Sequence, residues 1–133
     1  MNSIDATDPH ASAASQVALD YLAAMQARDI AGAESFLATD VTLIFPGSAP
    51  MTSLAQLLDW SKNRYRAIAK SIDDVDAFAK DDVAVVFIRG TLAGTWPDGT
   101  SFEGIRFIDR FEVKDGKILR QEVWNDLAEI RGR

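Results

Sequence analysis

The second half of the chain constrains the fold most, because it alternates strand-like segments with short turn signals. Four segments are rich in β-branched and aromatic residues: 71–79, 83–95, 102–113 and 117–127. Turn-forming residues separate them at 80–82, 96–99 and 114–116. Connections this short join antiparallel neighbours, so the sequence predicts a four-strand meander.

The first half of the chain has helical spacing instead. Asp8 followed by Pro9 is typical of a helix start, and apolar residues then recur three and four positions apart to about Arg28. Asp29 can cap a second helix over residues 30–38. The sequence therefore predicts two consecutive helices before any strand.

A short strand and a third helix complete the first half. Residues 41–45 are β-branched and aromatic, and the run stops at Pro46. Ser53 and Gln56 have the spacing of a capping box, and the helix that follows is predicted to run to about Lys70. Helices first and a meander last predict an α+β fold, a cone-shaped curved antiparallel sheet wrapped around three helices.

Length, charge and cysteine content limit what the chain can do. Its 133 residues fit one domain, predicted at 8–133 behind a flexible tail at 1–7. A net charge of −6 without a basic run excludes nucleic acid and anionic membranes as partners. The chain has no cysteine, which excludes thiolate chemistry and favours a cytoplasmic location. No metal or cofactor motif is present, so we expect neither.

The pairing of the last two strands decides which side chains share a face. A two-residue turn at 115–116 would place Asp109 opposite Glu122, and facing carboxylates repel. A three-residue loop at 114–116 places Asp109 opposite Gln121, and this is the register that we predict. The face it turns inward comprises Glu103, Ile105, Phe107, Asp109, Phe111, Val113, Gln121, Val123 and Asn125.

Asp109 is the most informative of these residues, because it is a carboxylate between Phe107 and Phe111 on an apolar face. Burial would raise the pKa of such a carboxyl and allow acid or base catalysis near neutral pH. The alternative is a structural aspartate that is hydrogen-bonded to Gln121.

Other polar residues are expected around Asp109. Tyr21, on the inner stripe of the first helix, could donate to a ligand oxygen or only pack in the core. Gln121 and Asn125 could orient a ligand carbonyl or bond to the sheet. Phe107, Phe111, Val123 and Trp60 would form apolar walls. A register error of one residue would turn Trp124 and Asp126 inward in place of Asn125. The sequence does not decide which face of the sheet Arg89 occupies.

Three stretches resemble the nuclear transport factor 2-like superfamily. They are residues 20–29, beginning Asp-Tyr-Leu-Ala-Ala, residues 36–42, Phe-Leu-Ala-Thr-Asp-Val-Thr, and residues 108–118, beginning Ile-Asp-Arg-Phe-Glu-Val. The resemblance covers about residues 12–130 and is closest to the SnoaL-like and ketosteroid isomerase-like branch. It implies a cone with an internal pocket, on which this superfamily carries several chemistries and some non-catalytic binding.

Some catalytic residues of the superfamily have a counterpart at the matching position of this chain, and others do not. Tyr21 and Asp109 match the oxyanion-hole tyrosine and the protonated aspartic acid of ketosteroid isomerases, but residues 43–46 lack their carboxylate base. Dehydratase-like chemistry needs a histidine in the pocket, and His10 is the only histidine. Epoxide hydrolase-like chemistry needs a triad whose last acid would fall near Val123, so that triad is incomplete in this chain. The aspartate of SnoaL-like cyclases is present as Asp109.

The sequence thus predicts a cofactor-independent enzyme of isomerase, cyclase or hydratase type. It would act on a small apolar carbonyl compound, with Asp109 as acid/base and Tyr21 and Asn125 polarising the carbonyl oxygen. The alternative is a non-catalytic ligand-binding or dimerisation domain. In either case we expect a homodimer formed through the outer face of the sheet.

Overall fold

The computed structural model describes residues 9–131, with side chains from 11 to 131. The predicted tail at 1–7, the Asp8 cap and the side chain of His10 lie outside the described residues. The elements in chain order are α1 (Pro9–Gln26), α2 (Ile30–Ser35), β1 (Leu37–Ile44), α3 (Leu54–Ser61), β2 (Ala67–Lys80), β3 (Val83–Thr95), β4 (Ser101–Lys114), β5 (Lys117–Asn125) and α4 (Leu127–Arg131).

The predicted α+β fold is confirmed. The five strands form one curled, unclosed sheet in the order β1-β5-β4-β3-β2, in which β1 is parallel to β5 and the other pairs are antiparallel. Helix α1 packs against four of these strands. The core lies between α1 and the sheet, where Tyr21, Phe107 and Phe111 are almost completely buried. No helix in the described part of the chain is long and apolar enough to cross a membrane.

Helix α3 is shorter than the sequence predicts. It ends at Ser61 rather than near Lys70, and strand β2 already begins at Ala67. The backbone N–H of Arg66 donates to the carbonyl of Thr95 at 2.8 Å, and Ala67 then pairs with Thr95. Pairing with β3 overrides the helical spacing of this segment, and as a result Lys70 lies on a strand.

The turn between β4 and β5 also differs from the prediction. Lys114 pairs with Lys117, so the turn has two residues, Asp115 and Gly116, with φ of 50° and 76°. Positive φ at both positions is typical of the type I′ turn, whose twist suits a hairpin. The predicted three-residue loop and the register based on it are therefore wrong.

A bulge in β5 removes the carboxylate clash that argued against this turn. The register shifts by one residue at Leu119, so that Gln121 lies opposite Phe111 and Val123 opposite Asp109. Glu122 consequently pairs with Arg110 instead of Asp109. Because the bulge also restores the inward direction of odd-numbered residues, Gln121 and Val123 are buried, as predicted from the wrong register.

A bulge in β4 corrects one further expectation. The pairing with β3 shifts between Phe102 and Ile105, next to Gly104 with its φ of 70°. Phe102 is therefore buried, and Glu103, predicted to face inward, is exposed. The inward alternation of β4 begins only at Ile105.

The outer face of the sheet exposes two apolar side chains next to each other. Ile108 pairs with Trp124, and they are 41% and 51% exposed. The homodimer through this face stays a prediction, and Trp124→Glu is expected to convert the dimer to a monomer because it places a charge on the apolar patch. Analytical ultracentrifugation measures this, with Ile130→Glu on α4 as a control. A monomeric unsubstituted protein would contradict the prediction.

Candidate functional site

A cavity of about 730 Å³ lies between helices α1 and α3 and the inner face of the sheet. Most of its wall is apolar, contributed by Leu22, Phe45, Leu57, Trp60, Ile68 and Phe107. Phe45 and Trp60 contact each other with ring centroids 5.5 Å apart. A volume in this range can enclose most of a small organic molecule.

An ion pair lies at the wall of the cavity. The Nζ of Lys70 is 2.5 Å from Oδ2 of Asp109 and 4.8 Å from the ring centroid of Phe107. The side chain of Lys70 is 17% exposed and lines the cavity, whereas that of Asp109 is 0% exposed and does not. A ligand in the cavity would therefore meet the ammonium group first, with the carboxylate behind it.

The electrostatics of Asp109 are those of a buried acid with one partner. Burial raises the pKa of its carboxyl, and the charge and hydrogen bond of Lys70 oppose that rise. Its Oδ1 is buried and has no hydrogen-bond partner among the described residues. A buried carboxylate oxygen without a partner is costly while it is ionised, so the group retains a proton more readily than an exposed aspartate does.

Gln121 is not the partner of Asp109, contrary to the prediction. Its Oε1 accepts a hydrogen bond from the Tyr21 hydroxyl at 3.2 Å. The bulge in β5 is the reason, since it places Gln121 opposite Phe111, whose ring also contacts Tyr21 edge-on at 6.0 Å. Burial, and secondarily the charge of Asp109, raise the pKa of Tyr21, which keeps the phenol protonated as a donor.

The sequence of this fold matches a known domain family. The profile of the SnoaL-like domain aligns with residues 18–121, from the middle of α1 into β5. The chain belongs to the SnoaL-like domain family. No curated protein sequence shows significant similarity to the chain.

Solved structures show the same fold as this SnoaL-like domain. TerC, co-crystallised with polyporic acid, is 20% identical, with a TM-score of 0.76 over 90% of this chain and 96% of that one. An NTF2-like protein of unknown function from Burkholderia pseudomallei is 17% identical, with a TM-score of 0.75 over 89% and 94%. An LEH-like epoxide hydrolase from M. tuberculosis is 20% identical, with a TM-score of 0.72 over 93% and 90%.

The SnoaL-like domain brings most of the predicted site residues to one cavity. Six of them line it: Tyr21, Trp60, Phe107, Gln121, Val123 and Asn125. Phe111 and Asp109 lie behind that lining in the core. The Oδ1 of Asn125 accepts a hydrogen bond from the backbone of Leu127 at 3.1 Å, at the start of the unpredicted helix α4.

Three residues whose direction the sequence left open lie away from the cavity. Trp124 is exposed, and Asp126 accepts a hydrogen bond from Arg106 at 2.6 Å. Arg89 is exposed on the outer face, where it pairs with Asp74 at 3.2 Å. Within residues 11–131, no group of three metal-ligating side chains is close enough to hold a metal ion.

Sequence reasoning missed the cations of the cavity. The sequence predicts Lys70 at the end of a helix and indicates no role for Arg28, Lys62, Arg64 or Arg66, although all five line the cavity. Lys70 follows Ile68 by two positions, which is the spacing of one strand face. This spacing indicates that Ile68 and Lys70 share a face only once the segment is known to be a strand, and it does not say which face is the inner one.

Proposed function

We propose that this SnoaL-like domain binds a small apolar carbonyl compound and catalyses an isomerase-, cyclase- or hydratase-like reaction on it without a cofactor. The ion pair of Lys70 with Asp109 beside an apolar cavity is the observation that carries the proposal. Such a pair offers a proton donor to a ligand that lies against an apolar wall. Structural neighbours described as an epoxide hydrolase and as co-crystallised with polyporic acid support a small-molecule role.

In the proposed mechanism Lys70 contacts the substrate and Asp109 acts through it. An N–H of Lys70 donates to the carbonyl oxygen and stabilises the negative charge that develops there as a carbon-bound proton leaves to water. Because Nζ and Oδ2 are 2.5 Å apart, Asp109 can exchange a proton with Lys70. This is how Asp109 would take part as acid/base without lining the cavity. Tyr21 donates its one O–H to Gln121, so it would act as a second donor only after releasing that bond.

Exchange of the α-protons of 2-tetralone for deuterium, followed by NMR in D₂O, tests the proposal. The unsubstituted protein is expected to accelerate the exchange, and the double variant Lys70→Met/Asp109→Leu is expected to lose that acceleration, since it removes the donor and its partner together. Lys114→Met is the matched control, because Lys114 forms an exposed pair with Asp82 and neither residue lines the cavity. Equal exchange rates with the unsubstituted protein and the double variant would refute the catalytic role.

A non-catalytic binding domain is the second candidate. Its support is that polar groups of the cavity already bond to the protein, Tyr21 to Gln121 and Asn125 to the backbone of Leu127. In the same NMR samples, line broadening of 2-tetralone reports binding separately from exchange. Binding without accelerated exchange would assign the chain to this second class.

A further inference from the structure

The charges that line the cavity have one sign. The lining residues include five cations, Arg28, Lys62, Arg64, Arg66 and Lys70, and no aspartate or glutamate. The whole chain has the opposite balance, with 20 acidic and 14 basic residues and a net charge of −6. A positive opening in a negative protein favours anions locally while the rest of the surface repels them.

Three of these cations have no carboxylate partner. Lys62 pairs with Asp59 and Lys70 with Asp109, but among the described residues no carboxylate oxygen lies within 4 Å of Arg28, Arg64 or Arg66. The three guanidinium groups donate to backbone carbonyls instead. Their acceptors are Arg66 at 2.8 Å, Pro46 at 3.4 Å and Pro97 at 2.6 Å, respectively. These bonds fix the groups in place and leave their charge unneutralised, with further N–H donors available.

The positive charge acts on aromatic residues of the cavity. The guanidinium carbon of Arg64 lies 4.3 Å from the ring centroid of Trp60. Burial raises the pKa of Tyr65, and the charges of Arg64 and Arg28 are among the influences that lower it. The pKa of Asp98 is lowered mainly by the hydrogen bonds that Thr100 donates to it. The charges of Arg131 and Arg66, which lie beyond 4 Å, also lower it.

Arg28 occupies a position that suits glycine better. It follows helix α1 with a φ of 61°, and its N–H donates to the carbonyl of Met25 at 3.1 Å. Glycine is the common residue at such a left-handed helix end, because it has no Cβ to clash. Arg28 therefore brings a long cation to the cavity lining at a strained backbone position, and such strain is found at functional sites.

We propose that Arg28, Arg64 and Arg66 form a recognition site for an anionic group on a ligand whose apolar body fills the cavity. The group would be a carboxylate, sulfonate, phosphate or ionised hydroxyl, all of which accept hydrogen bonds from guanidinium. The inference rests on the proposed small-molecule function and narrows its substrate class to apolar carbonyl compounds that carry a negative charge.

Two fluorescent probes with one carbon skeleton test this inference directly. 1-Anilinonaphthalene-8-sulfonate carries an anionic group, and N-phenyl-1-naphthylamine is its neutral counterpart. The unsubstituted protein is expected to bind the anionic probe about tenfold more tightly at low salt, and added salt should reduce the difference. Equal affinities for the two probes, or a preference for the neutral one, would overturn the anion site while leaving the small-molecule pocket intact.

Substitutions locate the effect at the three arginines. Arg64→Gln and Arg66→Gln are each expected to weaken binding of the anionic probe about fivefold and to leave the affinity for the neutral probe unchanged. Arg28→Gly should do the same and also raise the midpoint of thermal unfolding, since glycine relieves the strained φ. Arg89→Gln is the control of equal charge on the outer face. Losses with Arg89→Gln as large as with Arg64→Gln would contradict the site, because they would reflect net charge alone.

The same titrations separate failure of this inference from failure of the proposed function. If Leu57→Trp, which fills the cavity, displaces neither probe, then the probes bind elsewhere and the pocket itself is refuted as their site. If that variant displaces both probes but the arginine substitutions change neither affinity, the pocket stands and the anion site falls. 2-Tetralone is neutral, so its exchange result depends on Lys70 and Asp109 and not on the arginines.

Discussion

Replacement of Lys70 by methionine is expected to lower the free energy of unfolding by about 3–5 kcal/mol at neutral pH. Asp109 is completely buried, and the ammonium of Lys70 is the one hydrogen-bond partner that the described residues offer its carboxylate. Without Lys70 both carboxylate oxygens would be buried and unpaired. The cost arises mainly from the stranded charge rather than from the lost contact.

The deficit of Lys70→Met should depend on pH in a direction that the electrostatics fix. Burial raises the pKa of Asp109, and removal of Lys70 removes the two influences that lower it. The folded variant then binds a proton more tightly than the unfolded chain, whose aspartate has a pKa of about 3.9. The contribution of Asp109 to the stability of this variant is therefore greatest below about pH 4 and is lost as the pH rises through the folded pKa.

Urea unfolding measured between acidic and neutral pH tests this prediction. The double variant Lys70→Met/Asp109→Leu is expected to regain most of the lost stability, because the buried charge leaves with its partner. Lys114→Met, which removes an exposed ion pair with Asp82, should change little. A single variant Lys70→Met that is as stable as the unsubstituted protein at neutral pH would show that Asp109 does not depend on Lys70.

The sequence predicts the fold well because alternation, turn signals and helical spacing all agree on element order. Tyr21 and Asp109 are correctly placed inward for the same reason, since each lies on a regular stretch of helix or strand. The register of β5 could not be predicted because one inserted residue, Leu119, changes which residues face each other. A bulge has no reliable sequence signature. The predicted turn is one residue too long and the bulge is missed, and these two errors offset each other in the inward direction of Gln121 and Val123.

The inward direction of Lys70 could not be predicted for a related reason. On β2 the buried Ala77 and the partly buried Val75 lie on odd positions, and strict alternation would direct Lys70 outward. The strand contains a bulge at Asp73, since Ile72 pairs with Gly90 and Asp74 with Arg89. The inserted residue reverses the alternation, so that Ile68 and Lys70 face the cavity. The polar centre of the site thus depends on an irregularity that composition and periodicity do not reveal.

Gly90 makes this bulge possible, and Gly90→Ala is expected to destabilise the protein by about 3 kcal/mol. A Cβ at position 90 would lie 1.9 Å from the carbonyl oxygen of Ser71 and 3.1 Å from the backbone nitrogen of Asp73. Both atoms belong to the backbone of the bulged segment, so no side-chain rotation relieves the clash. Thermal or urea unfolding measures the loss, and Arg89→Ala, at the exposed neighbouring position, is the control.

Gly90→Ala should also disturb the cavity, because the backbone that must move leads directly to Lys70. If the bulge is displaced, β2 loses the reversal that turns Lys70 inward, and Asp109 loses its partner. The variant should then show the same rise of stability toward acidic pH as Lys70→Met, although the ion pair itself is not substituted. Loss of stability without that pH dependence would mean that the bulge relaxes locally and the ion pair persists. The shared pH dependence therefore tests whether a backbone irregularity, held open by one glycine, positions the charged centre of the cavity.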